Sequence, residues 1–255
     1  VQTDHHEPPR YRLLETTRLY AQERLAECAE TDATLERHGQ AMRAIADTAI
    51  REFWTARDKP WVARYASAYD DLEVAFFRAT ERGDAAVTAA TGEMLDFLDQ
   101  LRGGAYRAHD RKRAAYPLIA AAPPTTKARL WSLMPHRRDS AIEAVSRLDA
   151  AREAVSAWRG LDDRPALYRA LCKLAVETAR SGDFVAAISL LAEAEVIEEP
   201  QWPPRLRSER PGATGWISNY RGDSTTYIKM VRRCLVLAEE AGRDGTATLR
   251  ANLAD

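Results

Sequence analysis

Residues 168–200 read YRALCKLAVETARSGDFVAAISLLAEAEVIEEP, which predicts two helices joined by a tight turn. Apolar residues recur every three or four positions on both sides of Gly182, which is the spacing of one helix face. Gly182 suits the turn conformation, and Pro200 ends the second helix. Ala175 and Ala187 fall where the two helices would cross, because larger side chains would hold the helices apart. The segment therefore predicts a helical hairpin.

The hairpin pattern recurs along the chain and predicts a repeat architecture. Eight positions match those that a tetratricopeptide repeat requires, namely Leu171, Leu174, Ala175, Gly182, Phe184, Ala187, Leu191 and Ala194. A second match starts at Gly222 and Asp223, where Asp223 would cap the following helix, although Tyr227 and Cys234 replace the two small residues. Residues 141–160 would supply the second helix of the preceding unit. The predicted fold is all-α, with antiparallel helical hairpins stacked as a tetratricopeptide-like right-handed superhelix.

The composition agrees with a helical fold and limits the partners. Of the 255 residues, 46 are alanine, which is the best helix former, and 45% are apolar against 29% charged, which argues against general disorder. The 37 basic and 38 acidic residues nearly cancel, so we expect no direct nucleic-acid partner. No apolar run approaches the ~18 residues of a membrane span, and no signal peptide is present, so we expect a cytoplasmic protein without a membrane partner.

Capping residues, prolines and glycines predict where the elements of the chain begin and end. We predict a strand over residues 10–13, a helix capped by Asp32, a helix starting at Lys59 with a buried stripe through Ala79, and a helix capped by Asp84. The predicted domains are residues 1–58, 59–138 and 139–255, with an irregular insertion at 200–220 because four prolines and two glycines lie there. Since the chain starts at Val1 instead of Met, we expect it to be a piece of a longer protein.

Two further stretches resemble one known family. Residues 10–25, RYRLLETTRLYAQERL, closely resemble a junction in bacterial transcriptional regulators that join a signal-transduction ATPase of the STAND or AAA type to tetratricopeptide-like repeats. Residues 61–84 resemble the start of the family's helical array, through Trp61, the DDL of 70–72, Ala75 and the RGD of 82–84. Asp-Asn-Leu is more usual than Asp-Asp-Leu in the family, and residues 125–138 and 201–220 depart from its pattern.

The resemblance carries implications for the whole regulator. It implies that residues 10–13 are the last strand of a winged helix, and that ATPase and DNA-binding domains lie upstream in the parent chain. The chain itself lacks a Walker A loop, because no Lys follows a Gly. We therefore expect a non-catalytic regulatory module that binds a protein, peptide or small-molecule effector on its concave face. The alternatives are a self-association scaffold, which would form a homo-oligomer, and an enzyme with an unrecognised site.

Candidate contact residues follow from position and charge. Tyr168 and Arg169 lie early in a helix, and Tyr227 stands at a normally small position, so all three are expected to face a groove. Arg107 and Arg111 are expected to meet an anionic ligand. The basic clusters at 107–113, 136–138 and 205–210 are interpreted as solvated helix faces. Several aromatic residues at helical spacing are expected to be core, with a few lining a groove: Trp54, Trp61, Tyr65, Tyr69, Phe76 and Phe77.

No cofactor, catalytic group or metal site is predicted. The cysteines Cys28, Cys172 and Cys234 have no CxxC spacing, so we interpret them as small buried thiols. The pair His5 and His6 begins a zincin-like motif that lacks its second histidine.

Overall fold

The computed structural model of this chain describes residues 2–4, 10–102, 108–135 and 145–243. The chain forms two compact units, residues 1–41 and residues 42–255, which we describe separately. The domain boundaries predicted at 58/59 and 138/139 stay predictions.

The first unit holds a small strand pair and helical segments. Strands β1 (Gln2–Asp4) and β2 (Arg10–Arg12) pair antiparallel, which confirms the strand predicted there. Helix α1 (Glu15–Glu27) follows, and α2 (Thr31–Phe53) begins in this unit. The predicted cap at Asp32 is wrong, because α2 begins one residue earlier and places Asp32 inside the first turn. A carboxylate there still complements the positive end of the helix dipole.

The second unit is helical and confirms the all-α class. After α2 its helices are α3 (Asp58–Tyr65), α4 (Tyr69–Arg82), α5 (Ala85–Arg102), α6 (Ala108–Ala115), α7 (Pro124–Leu133), α8 (Arg147–Arg159), α9 (Arg164–Arg180), α10 (Phe184–Ile197), α11 (Pro204–Arg207), α12 (Glu209–Tyr220) and α13 (Ser224–Glu240). Short 3-10 turns cover Ala66–Ala68 and Tyr116–Leu118.

Most of the helix contacts join helices that are consecutive in the chain. Short turns join α4 to α5, α9 to α10 and α12 to α13, and each of these pairs packs as a hairpin. Helix α7 packs against α8 and α5, α8 packs against α9, and α9 packs against α12. In the described parts of the chain, no helix combines the length and hydropathy that crossing a bilayer requires.

The hairpin turns share one construction. Gly182 adopts φ +97°, a left-handed conformation that suits glycine, and the backbone N–H of Asp183 reaches back to close the end of α9. The Asp183 carboxylate then accepts from the backbone N–H of Ala186 at 2.9 Å and so caps α10. The turns at 83–84 and 222–223 repeat this arrangement, which confirms the predicted caps at those two positions.

The core confirms the predicted hairpin contacts. Ala175 and Ala187 are fully buried in the cluster that α9 and α10 share. A second cluster surrounds Trp61 and Phe76, both of which lie on the stripe predicted to be buried. That stripe does not belong to one helix, however. The 3-10 turn at Ala66–Ala68 separates α3, whose Trp61 indole donates to α2, from α4, which packs on α5.

The start of one further helix differs from the prediction. Helix α8 begins at Arg147, because the Ser146 hydroxyl accepts from the Asp149 backbone at 3.0 Å and caps the helix there. Val145 is therefore not helical, and residues 141–144 of the predicted helix lie outside the described residues.

The irregular insertion predicted at 200–220 is wrong, because α11 and α12 occupy most of it. Pro203 and Pro204 lie at the N-cap and first position of α11, and Pro211 lies in the first turn of α12. A missing N–H costs nothing at these positions, because the first backbone donors of a helix have no intrahelical partner. Gly215 lies inside α12 and faces α13, where a Cβ would meet Cβ of Met230 at 3.4 Å, an ordinary van der Waals distance.

Candidate functional site

A cavity of about 570 Å³ lies among the helices of the second unit. Residues from α2, α5, α7, α8 and α9 and from the 202–206 segment line it. Its volume falls within the range of pockets that hold small organic ligands. The cavity brings together residues that are more than 100 positions apart in the sequence, so only the folded chain creates it.

Three tryptophans supply most of the aromatic surface of the cavity. Trp54 follows the end of α2, Trp158 lies in the last turn of α8, and Trp202 precedes α11. The Trp158 indole donates to the Ser132 hydroxyl at 2.8 Å, which fixes the orientation of that ring. Trp202 packs edge-on against Tyr168 with ring centroids 5.3 Å apart. Contacts with Ser132 and Tyr168 therefore fix the positions of the Trp158 and Trp202 rings.

Arg169 lies against the aromatic wall. Its guanidinium carbon is 4.5 Å from the Trp54 ring centre and 5.2 Å from that of Phe97, both within cation–π range. Arg169 Nη1 is 3.4 Å from Oε1 of Glu93. Its buried Nε has no hydrogen-bond partner in the part of the chain that the structure describes. Arg169 therefore keeps unused hydrogen-bonding capacity.

Arg129 engages the two carboxylates at the polar side of the cavity. Its Nε donates to Glu93 at 3.0 Å, and its Nη1 donates to Asp47 at 3.1 Å. Asp47 is also 3.6 Å from the guanidinium of Arg43. Burial alone would lower the pKa of Arg129, but Glu93 and Asp47 outweigh it and raise that pKa. Both carboxylates are thus already compensated by arginines of the protein.

Lys173 lies one helical turn after Arg169 and also lines the cavity. Its ammonium donates to the backbone carbonyl of Ser132 at 3.2 Å. Among the described residues no carboxylate lies within 4.0 Å of the Lys173 nitrogen. Burial lowers the pKa of Lys173 below its ordinary 10.5, and the nearby charge of Arg169 lowers it further. Lys173 is therefore a desolvated cation without a direct counter-ion.

The structure separates the residues predicted to contact a ligand. Arg169 lines the cavity, as does Trp54 from the predicted aromatic set. Tyr168 does not, because it is fully buried and the Arg210 backbone N–H donates to its hydroxyl at 3.2 Å. Burial raises the pKa of Tyr168 well above its ordinary value. Adjacent residues of a helix point about 100° apart, and the Tyr168 side chain packs against Trp202 and the Arg210 backbone instead of entering the cavity.

The remaining predicted residues lie elsewhere. Tyr227 packs between α12 and α13, 3.8 Å from where a Cβ at Gly215 would lie. Arg111 is buried and forms ion pairs with Asp99 and Glu73, so it is not on a solvated face, and it does not line this cavity. Arg107 lies outside the described residues.

The basic cluster at 205–210 also needs correction. Arg205 is buried within this cluster, which was interpreted as a solvated face, and it donates to the Asp58 carboxylate. The cluster at 136–138 lies outside the described residues.

Several cavity residues were not predicted from the sequence. Arg129, Glu93, Lys173, Trp158 and Trp202 all line the cavity without having been singled out. One signal was available, because Lys173 stands four residues after Arg169 and interrupts the otherwise apolar face of α9. The other residues come from four separate segments, and nothing in their local sequence shows that they meet.

The described residues include no group of three or more histidine, cysteine or acidic side chains arranged to hold a metal ion. Comparison with models of protein families and with curated protein sequences gives no match to this chain.

Proposed function

We propose that this chain is a non-catalytic sensor module that binds a small effector in the cavity of its second unit. The observation that carries the proposal is the cavity itself, whose walls are aromatic and whose polar side holds Lys173, a cation without a direct carboxylate partner in the described residues. Most ligand sites of globular proteins combine an apolar wall with a few oriented polar groups in this way.

The sequence resemblance extends the proposal to a longer protein. In it the hairpins would form a tetratricopeptide-like right-handed superhelix in a cytoplasmic bacterial transcriptional regulator, downstream of ATPase and DNA-binding domains. Ligand occupancy would favour one of two arrangements of the helical array and the ATPase, as linkage requires. Deleting residues 102–255 from the full-length regulator is then expected to change ATP turnover and promoter binding. Unchanged values for both would refute the regulatory role.

A thermal-shift screen of the purified chain tests ligand binding. We expect at least one small molecule or short peptide to raise the melting temperature, because a ligand that binds only the folded state stabilises it. Ala166→Phe should abolish that shift, since Ala166 lines the cavity and a phenyl ring would occupy it. Ala63→Phe is the control, because Ala63 lies exposed on α3. An equal shift in Ala166→Phe, or no shift with any compound, would contradict the proposal.

A self-association scaffold is the second candidate, and α10 provides its specific support. Val185 and Val196 are each 82% exposed and Ile188 is 48% exposed, all on the outer side of this helix. Exposed apolar side chains that share a surface are typical of contacts between proteins. Sedimentation at several concentrations tests this candidate. A monomer at all concentrations would eliminate it, whereas a dimer lost on Val185→Lys would support it.

A further inference from the structure

The charged side chains around the cavity leave an excess of positive charge. Four cationic residues line it, Arg51, Arg129, Arg169 and Lys173, together with three carboxylates. Glu93 is shared by two arginines, and the third carboxylate, that of Asp163, accepts from the backbone of α9 as its cap. Among the side chains that line the cavity, the excess amounts to one unit, which one singly charged anion would neutralise.

The excess is concentrated on α9. Arg169 and Lys173 lie four residues apart, so their side chains share one face of the helix. Two like charges on one helix face repel each other, and burial also costs the Lys173 ammonium part of its hydration. An anion bound between them would relieve the repulsion and supply the missing hydrogen-bond acceptors. Arg169 has only the Glu93 carboxylate that it shares with Arg129, and the hydrogen bond that Lys173 donates goes to a backbone carbonyl.

The rest of the cavity favours an occupant with an apolar body. Trp54, Trp158 and Trp202 form apolar surface beside the two cations. A volume of about 570 Å³ is much larger than a carboxylate or an inorganic anion alone needs. A ligand that fills it must therefore carry an apolar body, and flat bodies suit aromatic walls.

We propose that the cavity binds an organic monocarboxylate with a flat apolar body, its carboxylate between Arg169 and Lys173 and its body against the tryptophans. This inference rests on the proposed ligand-binding function and adds the chemical class of the ligand. The single excess charge favours one carboxylate over a doubly charged phosphate ester. The guanidinium supplies a planar pair of donors, and the ammonium supplies a compact charge.

Three probes of nearly equal shape test the inference on the purified chain. They are 2-naphthoate, which is a monoanion, 2-naphthalenemethanol, which is neutral, and 2-naphthyl phosphate, which is a dianion at pH 8. Titration calorimetry gives each Kd, and quenching of tryptophan fluorescence reports contact with the walls. We expect 2-naphthoate to bind about tenfold more tightly than the alcohol, which is the usual value of one charged hydrogen bond. The phosphate ester should not bind more tightly than 2-naphthoate.

The variant Lys173→Met tests the contribution of the Lys173 charge to ligand binding while a side chain of similar length is kept. The variant keeps a long side chain but removes the ammonium, so the preference for 2-naphthoate over the alcohol should fall to about twofold or less. The alcohol should bind the variant and the wild type equally. Lys229→Met is the matched control, because Lys229 is exposed on α13 and does not line the cavity. It should keep the full preference.

The outcomes distinguish this inference from the proposed function. Equal binding of acid and alcohol, an unchanged preference in Lys173→Met, or tighter binding of the phosphate ester would overturn the monocarboxylate. The cavity would remain a ligand site in each of those cases. If no probe binds but a compound from the thermal-shift screen does, the ligand class is wrong and the sensor function stands. If nothing binds in either experiment, the proposed function fails.

Discussion

At the scale of single residues, the same side chain begins three helices of the second unit. Asp84, Asp183 and Asp223 each follow a glycine and each accept a backbone N–H from the first turn of the next helix. These caps were predictable from the sequence, because a cap needs only residues within one turn of each other. The contacts of Lys173 were not predictable in this way, since Ser132 lies 41 positions away.

Removing one of these caps should destabilise the fold measurably. Asp84 accepts from the N–H groups of Ala86 and Val87 at 3.1 and 3.0 Å. We expect Asp84→Ala to lower the free energy of unfolding by about 1 kcal/mol in urea denaturation. Asp162→Ala is the control, because Asp162 is exposed in a turn and caps no helix. Equal losses in the two variants would show that the caps contribute nothing specific.

Lys173 should make stability depend on pH. Its pKa is lowered in the folded chain by burial and then by Arg169, although Asp96, Glu209 and Glu93 oppose this. Between the lowered value and 10.5 the unfolded chain binds more protons at this side chain, so its contribution to stability rises with pH. The free energy of unfolding of the wild type minus that of Lys173→Met should therefore become more positive from pH 7 to pH 10. A constant difference would contradict the desolvation of Lys173, and Lys229→Met should show no such slope.

At the scale of helices, close packing of α5 depends on one missing side chain. Gly92 lies inside α5, and a Cβ there would lie 2.8 Å from Cδ1 of Leu133 and 2.9 Å from Cε2 of Phe76. Helices α4 and α7 therefore approach α5 more closely than alanine would permit. Gly212 lies inside α12 with more space around it, because the nearest atom to a Cβ there is the Cys234 sulfur at 4.0 Å.

The two glycines should respond oppositely to alanine. Gly92→Ala gains helix propensity but must displace Leu133 or Phe76, so we expect a net loss of about 1 kcal/mol in free energy of unfolding. Gly212→Ala gains propensity without a clash and should stabilise the chain by about 0.5–1 kcal/mol. Urea denaturation of both variants measures the difference. A stabilising Gly92→Ala would show that α5 does not pack as described.

The local sequence predicts some helices of this chain and not others. The hairpin of α9 and α10 was predictable because its spacing, turn glycine and small crossing residues all lie within 33 positions. Helices α11 and α12 were missed because proline and glycine usually end helices. Pro204 and Pro211 instead lie in the first turns of α11 and α12, and Gly212 and Gly215 lie inside α12. The local sequence does not distinguish these two uses of the same residues.

At the scale of the whole second unit, one buried ion pair joins distant segments. Arg205 of α11 donates to the Asp58 carboxylate and to the backbone carbonyl of Ala56, across 147 and 149 positions. Both side chains are buried, and Arg243 also lies 3.7 Å from Asp58. Burial lowers the pKa of Arg205 to about 10, although Asp58 opposes the shift. Composition and spacing contain no signal for a pair so far apart.

Breaking that pair should be costly. Arg205→Met removes the nearer of the two arginines beside the buried Asp58 carboxylate and leaves only Arg243 at 3.7 Å, so we expect a loss of about 3 kcal/mol in free energy of unfolding. The matched control is Arg159→Met, which breaks an exposed pair with Glu193 and should cost less than about 1 kcal/mol. Urea denaturation distinguishes the two. Similar small losses would mean that the Arg205 pair does not join the two segments in solution.

The most direct measurement is the crystal structure of the chain with the compound that stabilises it most in the thermal-shift screen. We predict that the compound lies in the cavity, with its apolar part against Trp54 and Trp158 and its polar group at Arg169 and Lys173. A compound bound elsewhere on the chain, with the cavity unoccupied, would contradict the claim that this cavity is the ligand site.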